Sequence, residues 1–178
     1  KRYKDYAEGQ APESLENLAK IIKNAEALEI METIDTVVVD KTGTLTNGKP
    51  EVTDIITFDM KDNEMLKLAA AVEKNSEHPL SGAIVDAAFS KKLELPKVSK
   101  FNSITGKGVQ AIYKKKKILV GNRSLFIANK IDIKSAESKI QFLENQGKTV
   151  MIVSVGIKLT GLIAVADKAK EYSKEIQK

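Results

Sequence analysis

The sequence predicts an α/β chain in which an α+β module, an antiparallel sheet flanked by helices, is inserted into a truncated α/β domain. Three observations carry this reading. The β-branched run Thr36-Val37-Val38-Val39 ends in Asp40, as expected of a central parallel strand buried on both faces. A second apolar stretch closes with Ala164-Val165-Ala166-Asp167, far along the chain. The residues between have helical and strand patterns of their own. One or two parallel strands cannot hold a core, so the outer domain reads as incomplete. The expected division is residues 1–49 for an N-terminal helix and the first part of the outer domain, 50–162 for the inserted module, and 163–178 for re-entry.

Taken in order, residues 1–12 are a polar lead-in, and Leu15, Leu18, Ile21, Ile22, Ala25 and Leu28 recur at helical spacing. After the run ending at Asp40, Asn47-Gly48 and Pro50 mark a turn, and 51–59 alternates as a strand. Met65, Leu68, Ala69 and Val72 give a helix over 63–75, with Glu73 expected outside the apolar stripe and facing solvent. Pro79 favours an extended Glu77-His78 backbone and then a helix over 80–91. Residues 96–120 read as antiparallel strands turned at Thr105-Gly106-Lys107-Gly108 and at the lysine run 114–117. Short helices over 124–129 and 135–145 follow, the second closed by Gly147. Strands over 149–155 and 159–165 flank a Gly156 turn, Asp167 is expected to end the second, and a helix is expected from 168.

Composition excludes several classes. The 178 residues contain no cysteine and one histidine, so disulfide scaffolds, thiolate nucleophiles and His-rich metal centres are ruled out. No stretch approaches 18 apolar residues and no leader pattern opens the chain. Lys and Arg exceed Asp and Glu by 29 to 24, but much of the excess is the run 114–117, which reads as a solvated turn or, alternatively, a phosphate-attracting patch. Without tryptophan and with few other aromatics, no stacking platform for nucleic acid is evident.

Chemistry concentrates at Asp40-Lys41-Thr42-Gly43-Thr44-Leu45-Thr46. An aspartate at a strand end can attack a phosphoryl group and become an aspartyl-phosphate, and ligands in open α/β sheets collect beyond such strand ends. The following turn offers N–H groups and threonine hydroxyls to phosphate oxygens. Asp40 also suits Mg²⁺, which takes hard oxygen ligands. This segment resembles the phosphorylation motif of P-type cation-pumping ATPases, and Ser76-Glu77-His78-Pro79-Leu80 resembles a motif of their heavy-metal-transporting (P1B-type) branch. Gly106-Lys107-Gly108 and Gly121-Asn122 resemble two further elements of that family, in the same order.

The resemblance implies a haloacid-dehalogenase-like, Rossmann-type phosphorylation domain with Asp40, Lys41 and Thr42 at the catalytic centre. Asp40 would accept the γ-phosphate of ATP, Thr42 would help hold it, and Asp40 and Thr42 would face Mg²⁺. His78 would position the adenine, Glu77 would contact its edge, and Gly106, Gly108 and Asn122 would complete the nucleotide site. The implied setting is the cytoplasmic face of a membrane, and overall resemblance favours copper as the cargo. Implied partners are ATP or ADP, the actuator, membrane and remaining phosphorylation segments of the same pump, and a metal-binding domain or metallochaperone; nucleic acid is not among them. Two alternatives stay open. One is a haloacid-dehalogenase-like phosphatase, which would carry an acid/base two residues past its nucleophile, where this chain has Thr42. The other is a non-catalytic nucleotide-binding or assembly module.

Overall fold

Six antiparallel strands form one sheet in the order β1-β6-β5-β4-β3-β2, with a pair of helices on each face. This is a computed structural model, and it describes residues 33–36, 38, 44 and 46–170. In chain order the elements are β1 (Thr46–Thr57), α1 (Asp62–Glu73), α2 (Pro79–Ser90), β2 (Ser99–Ile104), β3 (Gly108–Tyr113), β4 (Lys116–Gly121), α3 (Arg123–Ala128), α4 (Lys134–Asn145), β5 (Thr149–Val155) and β6 (Lys158–Ala169). The expected antiparallel sheet and flanking helices are therefore present.

Side chains on a strand alternate between faces, and here each face has its own core. Ile118, Val120, Met151, Val153, Ile163 and Val165 pack under α1 and α2. Their neighbours Leu119, Val150, Ile152, Leu162 and Ala164 pack under α3 and α4 with Leu125, Phe126, Ile140 and Leu143. With both faces covered, β4, β5 and β6 read in sequence as nearly unbroken apolar runs.

The helix ends follow local chemistry. Asp62 and Glu64 sit in the first turn of α1, where the helix dipole favours negative charge. Pro79 opens α2 at a position where its missing N–H costs nothing. The Asp132 carboxylate accepts from the Lys134 N–H at 2.9 Å as α4 begins. Gly147, at φ +73°, donates to the Glu144 carbonyl at 2.8 Å as α4 ends, the glycine closure the sequence suggested.

Three local expectations fail. Thr36 and Val38, the described members of the supposed buried strand, lie in no strand, and Val38 is 95% exposed. A strand needs a ladder partner, and neither residue has one among the described residues. The turn at Asn47, Gly48 and Pro50 is instead part of β1. Thr46 pairs with Ala169 and Pro50 with Asp167, so β1 carries two extra residues there, and a bulge absorbs the turn chemistry. Asp167 does not end its strand, because β1 keeps pairing with β6 as far as Ala169; residues 168 and 169 are accordingly strand and not helix. Asp167 instead accepts a hydrogen bond from the Thr46 hydroxyl. The positions 49/50 and 162/163 fall inside β1 and β6. Asp40, Lys41, Thr42 and the helix expected over 15–29 lie outside the described residues.

Candidate nucleotide site

The site forms at the end of the sheet where β3 begins, β4 finishes and β5 begins. Gly108 is paired there with Gly121, and Gly121 with Ile152. The joint between α1 and α2 closes over this end. Between them lies a cavity of about 410 Å³ whose walls include Glu77, His78, Gly106, Gly108 and Asn122. All five residues singled out for nucleotide binding thus meet in one place, although they come from three separate stretches of chain. The volume is that of ordinary small-ligand pockets. Ile104, Val150 and Met151 supply apolar wall, and Lys107 is the one cation in the lining.

His78 and Asn122 are both held by bonds to the backbone. His78 is the N-cap of α2 with extended backbone, and its Nδ1 accepts from the Leu80 N–H at 3.2 Å. That bond places the proton of the neutral ring on Nε2. The ring is exposed, as is Glu77. Asn122 is the N-cap of α3. Its Oδ1 accepts from the Leu125 N–H at 3.3 Å, its Nδ2 donates to the Gly106 carbonyl at 2.8 Å, and its N–H donates to the Lys107 carbonyl at 2.9 Å. One side chain therefore caps a helix and clasps the turn at 105–107.

Gly106 and Gly108 have φ of +70° and +141°, values that L side chains rarely adopt. A Cβ on Gly108 would strike the Val120 carbonyl oxygen, and one on Gly121 would strike the Lys107 carbonyl oxygen. The close approach at Gly108 is thus to the neighbouring strand, and it forms the floor of the cavity.

Arg123 follows Asn122 and anchors α3. It bonds Glu137 through Nε at 3.0 Å and Nη2 at 2.8 Å, and Glu144 through Nη1 at 2.7 Å and Nη2 at 2.8 Å. The guanidinium holds both carboxyls below the usual carboxylate range, and they hold its own pKa up.

Sequence reasoning missed Glu73 and placed it in solvent. It is 1% exposed and lines the cavity. Its Oε2 accepts from the Ser81 hydroxyl at 2.7 Å, while Oε1 is buried without a hydrogen-bond partner. Burial pushes the Glu73 carboxyl above the usual carboxylate range, against the opposing influence of the Ser81 and Ser76 hydroxyls and of His78. The signal was in the spacing: Leu66, Ala69, Ala70 and Glu73 fall at i, i+3, i+4 and i+7, and all four are buried.

The lysine run stands apart from this site. Lys114 and Lys115 form a two-residue turn beyond the Tyr113–Lys116 pair, at the opposite end of β3 and β4 from Gly108 and Gly121. The solvated-turn reading fits, with the Lys114 ammonium 5.3 Å from the Tyr113 ring centroid. A second cleft, of about 360 Å³, lies beside Lys49, Glu51, Asp86 and Lys168. Its charges neutralise one another in the pairs Lys49–Asp86 at 2.8 Å and Lys168–Glu51 at 2.6 Å, so it presents no uncompensated charge to a ligand.

The chain is similar to several known proteins. A family model described as haloacid dehalogenase-like hydrolase matches residues 34–176. A copper-exporting P-type ATPase of Staphylococcus aureus (strain MW2) is 44% identical over 156 residues, covering 87% of this chain and 19% of the relative. A crystal structure of a zinc-transporting PIB-type ATPase superposes with a TM-score of 0.68 at 34% identity, over 75% of this chain and 22% of that one. The crystallised N-domain of a copper-transporting P-type ATPase gives 0.56 at 27% identity, over 66% of this chain and 99% of the N-domain. The chain thus spans about a fifth of its curated relative and contains a counterpart of nearly the whole of that N-domain.

Proposed function

The chain belongs to the haloacid dehalogenase-like hydrolase family, and from that premise we propose that it is the ATP-binding portion of a heavy-metal cation-transporting P-type ATPase, with copper as the cargo. The observation that supports this most is the convergence of Glu77, His78, Gly106, Gly108 and Asn122 on one cavity. Adenine lies against the exposed His78 ring between apolar walls. Glu77, exposed at the rim, accepts from the exocyclic amine. Asn122 and the Lys107 ammonium, which share the lining of the cavity, serve the sugar-phosphate side.

Asp40 performs the chemistry in the whole pump. Its carboxylate oxygen attacks the γ-phosphorus, the bond from that phosphorus to the bridging oxygen breaks, and ADP leaves with the electron pair, giving an aspartyl-phosphate. Lys41 and Thr42 stabilise the transferring group. Asp40 and Thr42 offer carboxylate and hydroxyl oxygens, a donor set that suits Mg²⁺, and the ion would neutralise charge on the phosphates. Among the described residues no group of three or more His, Asp or Glu side chains gathers for a metal, so the Mg²⁺ assignment rests on those two residues. In the pump, domain closure carries the γ-phosphate to Asp40.

We place the 50–162 module as the nucleotide-binding domain, with 1–49 and 163–178 belonging to the phosphorylation domain. The setting is the cytoplasmic face of a membrane, and none of the described helices is long and apolar enough to cross one. The partners are the actuator, membrane and remaining phosphorylation segments, together with a metal-binding domain or metallochaperone.

Titrating ATP into this chain while following backbone amide shifts tests the nucleotide site. Movement centred on residues 73–80, 105–108 and 121–122 is expected, and its absence overturns the site. Label from γ-labelled ATP that survives Asp40→Asn in the intact pump overturns the acceptor.

A further inference from the structure

The end of β2, β3 and β4 away from the nucleotide cavity gathers lysines. Lys114 and Lys115 form the turn beyond the Tyr113–Lys116 pair, and Lys117 pairs with Ile112. Ile112 also pairs with Ser99 of β2, which Lys97 and Lys100 flank. On the α3 side, the Lys117 ammonium donates to the Asn129 Oδ1 at 3.4 Å, next to Lys130. All seven lysines are exposed, and none forms an ion pair among the described residues. They outnumber the net charge of +5 carried by the whole chain. The acid nearest to them along the chain after Lys130 is Asp132, which already accepts from the Lys134 N–H at 2.9 Å.

Backbone geometry marks the same place. Five non-glycine residues among those described have positive φ, all are lysines, and four of them are Lys100, Lys114, Lys115 and Lys130. Glycine or asparagine would hold such backbone with less strain, so ammonium groups are kept here against local preference. β2 is the last strand of the sheet and pairs with β3 alone among the described strands. Its outer edge therefore offers a row of N–H and C=O groups. Lysines beside such an edge repel a second copy of it and attract a strand of opposite charge.

We propose that the β2 edge and this lysine corner form a docking surface for an extended, acidic polypeptide segment, which adds along β2 as a further strand and places its carboxylates among the lysines. Capture of a peptide by an open strand edge takes its affinity from main-chain hydrogen bonds and its specificity from side chains. The edge decides between anionic partners. Lipid headgroups and nucleic-acid phosphates supply charge, but a polypeptide also supplies backbone donors and acceptors at strand spacing. Each ion pair at so exposed a place is weak and screened by salt, so the docking is reversible and salt-dependent. The corner lies at the opposite end of β3 and β4 from Gly108 and Gly121, and the proposal does not rest on the nucleotide reading.

The probe is a fluorescein-labelled peptide of alternating glutamate and threonine, and its binding to this chain is read by fluorescence anisotropy at low and at physiological salt. Binding is expected at low salt and should weaken as salt rises. Lys114→Asn with Lys115→Gly, which eases the turn, should weaken it about fivefold. Lys97→Gln with Lys100→Asn should do the same and provides a second variant. Lys61→Gln with Lys67→Gln removes equal charge at the start of α1 and within it, and should change binding by less than about twofold. The same peptide with an N-methylated backbone keeps its carboxylates and loses its N–H donors; it should bind about tenfold more weakly. Absence of binding at low salt overturns the proposal. Equal losses in the corner and α1 variants do so too, as does equal binding of the methylated and unmethylated peptides. Phosphatidylcholine vesicles containing phosphatidylserine, and duplex DNA, are titrated in parallel. Tighter binding of either, lost in the lysine variants, assigns the corner to lipid or nucleic acid and overturns the polypeptide assignment.

Discussion

Replacing Gly108 by alanine tests how the floor of the cavity is built. A Cβ there would lie 2.5 Å from the Gly121 Cα and 3.1 Å from the Val120 carbonyl carbon, as well as against that carbonyl's oxygen. These are backbone atoms of the paired strand and cannot swing aside. The backbone at φ +141° adds about 1–3 kcal/mol of strain for a residue with a side chain. Separating the last pair of the β3–β4 ladder forfeits about 1 kcal/mol for each hydrogen bond lost. The expected cost is about 3–4 kcal/mol, or roughly 10 °C of melting temperature for a chain of this size. Two glycines serve as controls, since a Cβ on either Gly106 or Gly82 would meet nothing within 4 Å. Gly106→Ala bears only the strain of φ +70°, about 1–2 kcal/mol. Gly82→Ala, inside α2, should gain about 0.5–1 kcal/mol. Thermal unfolding followed by circular dichroism reads all three. If Gly108→Ala melts within about 2 °C of Gly106→Ala, the strand-contact argument is wrong.

The other expectations are briefer. Lys114 and Lys115 occupy both central positions of their turn at φ +47° and +64°, a geometry that favours Asn-Gly; Lys114→Asn with Lys115→Gly should raise stability by about 1 kcal/mol and leave ATP affinity unchanged, as thermal melts and calorimetry would show. Arg123→Met removes its bonds to two carboxylates, but the side chains are about one-third exposed or more; the loss should be about 1 kcal/mol, read from denaturant midpoints. Burial raises the Glu73 carboxyl above its ordinary value of 4.5, so its stabilising contribution is full below that value and is lost as pH rises through the folded-state pKa. Glu73→Gln should abolish that loss, which a series of melts across pH would reveal.

Most of the fold was legible because its signals are local. Pro79 and Gly147 mark helix ends by chemistry each residue carries alone, and the turn signals at 105–108 and 114–117 separate strands of alternating or apolar pattern. What was not legible depends on distant pairing. Nothing near Asn47 or Pro50 announces that β6 runs alongside and absorbs the turn as a bulge. Nothing near Gly108 announces that its contact is with Gly121. The far position of the lysine run follows only from the β3–β4 register. Glu73 was missed for a different reason. The stripe read as Met65, Leu68, Ala69 and Val72 left it outside and its charge argued for solvent, whereas Leu66, Ala69 and Ala70 lead to it. Charge is the better guide for most helix residues, and it fails where a pocket needs an acceptor.

That failure bears on how the cavity works. A carboxylate in an apolar wall is poorly solvated, which raises its pKa and costs stability. The same apolar surroundings, from Ile104, Val150 and Met151, strengthen any hydrogen bond made to it. The Ser81 hydroxyl that donates to Oε2 at 2.7 Å therefore gains more here than a bond made at the exposed Glu77. Ser81 alone cannot remove that cost, since it serves one oxygen of two. A side chain under selection for stability alone would be replaced at this position by an apolar residue, which would complete the stripe begun by Leu66, Ala69 and Ala70. What glutamate adds at this position is the bond to Ser81 that ties the end of α1 to the start of α2.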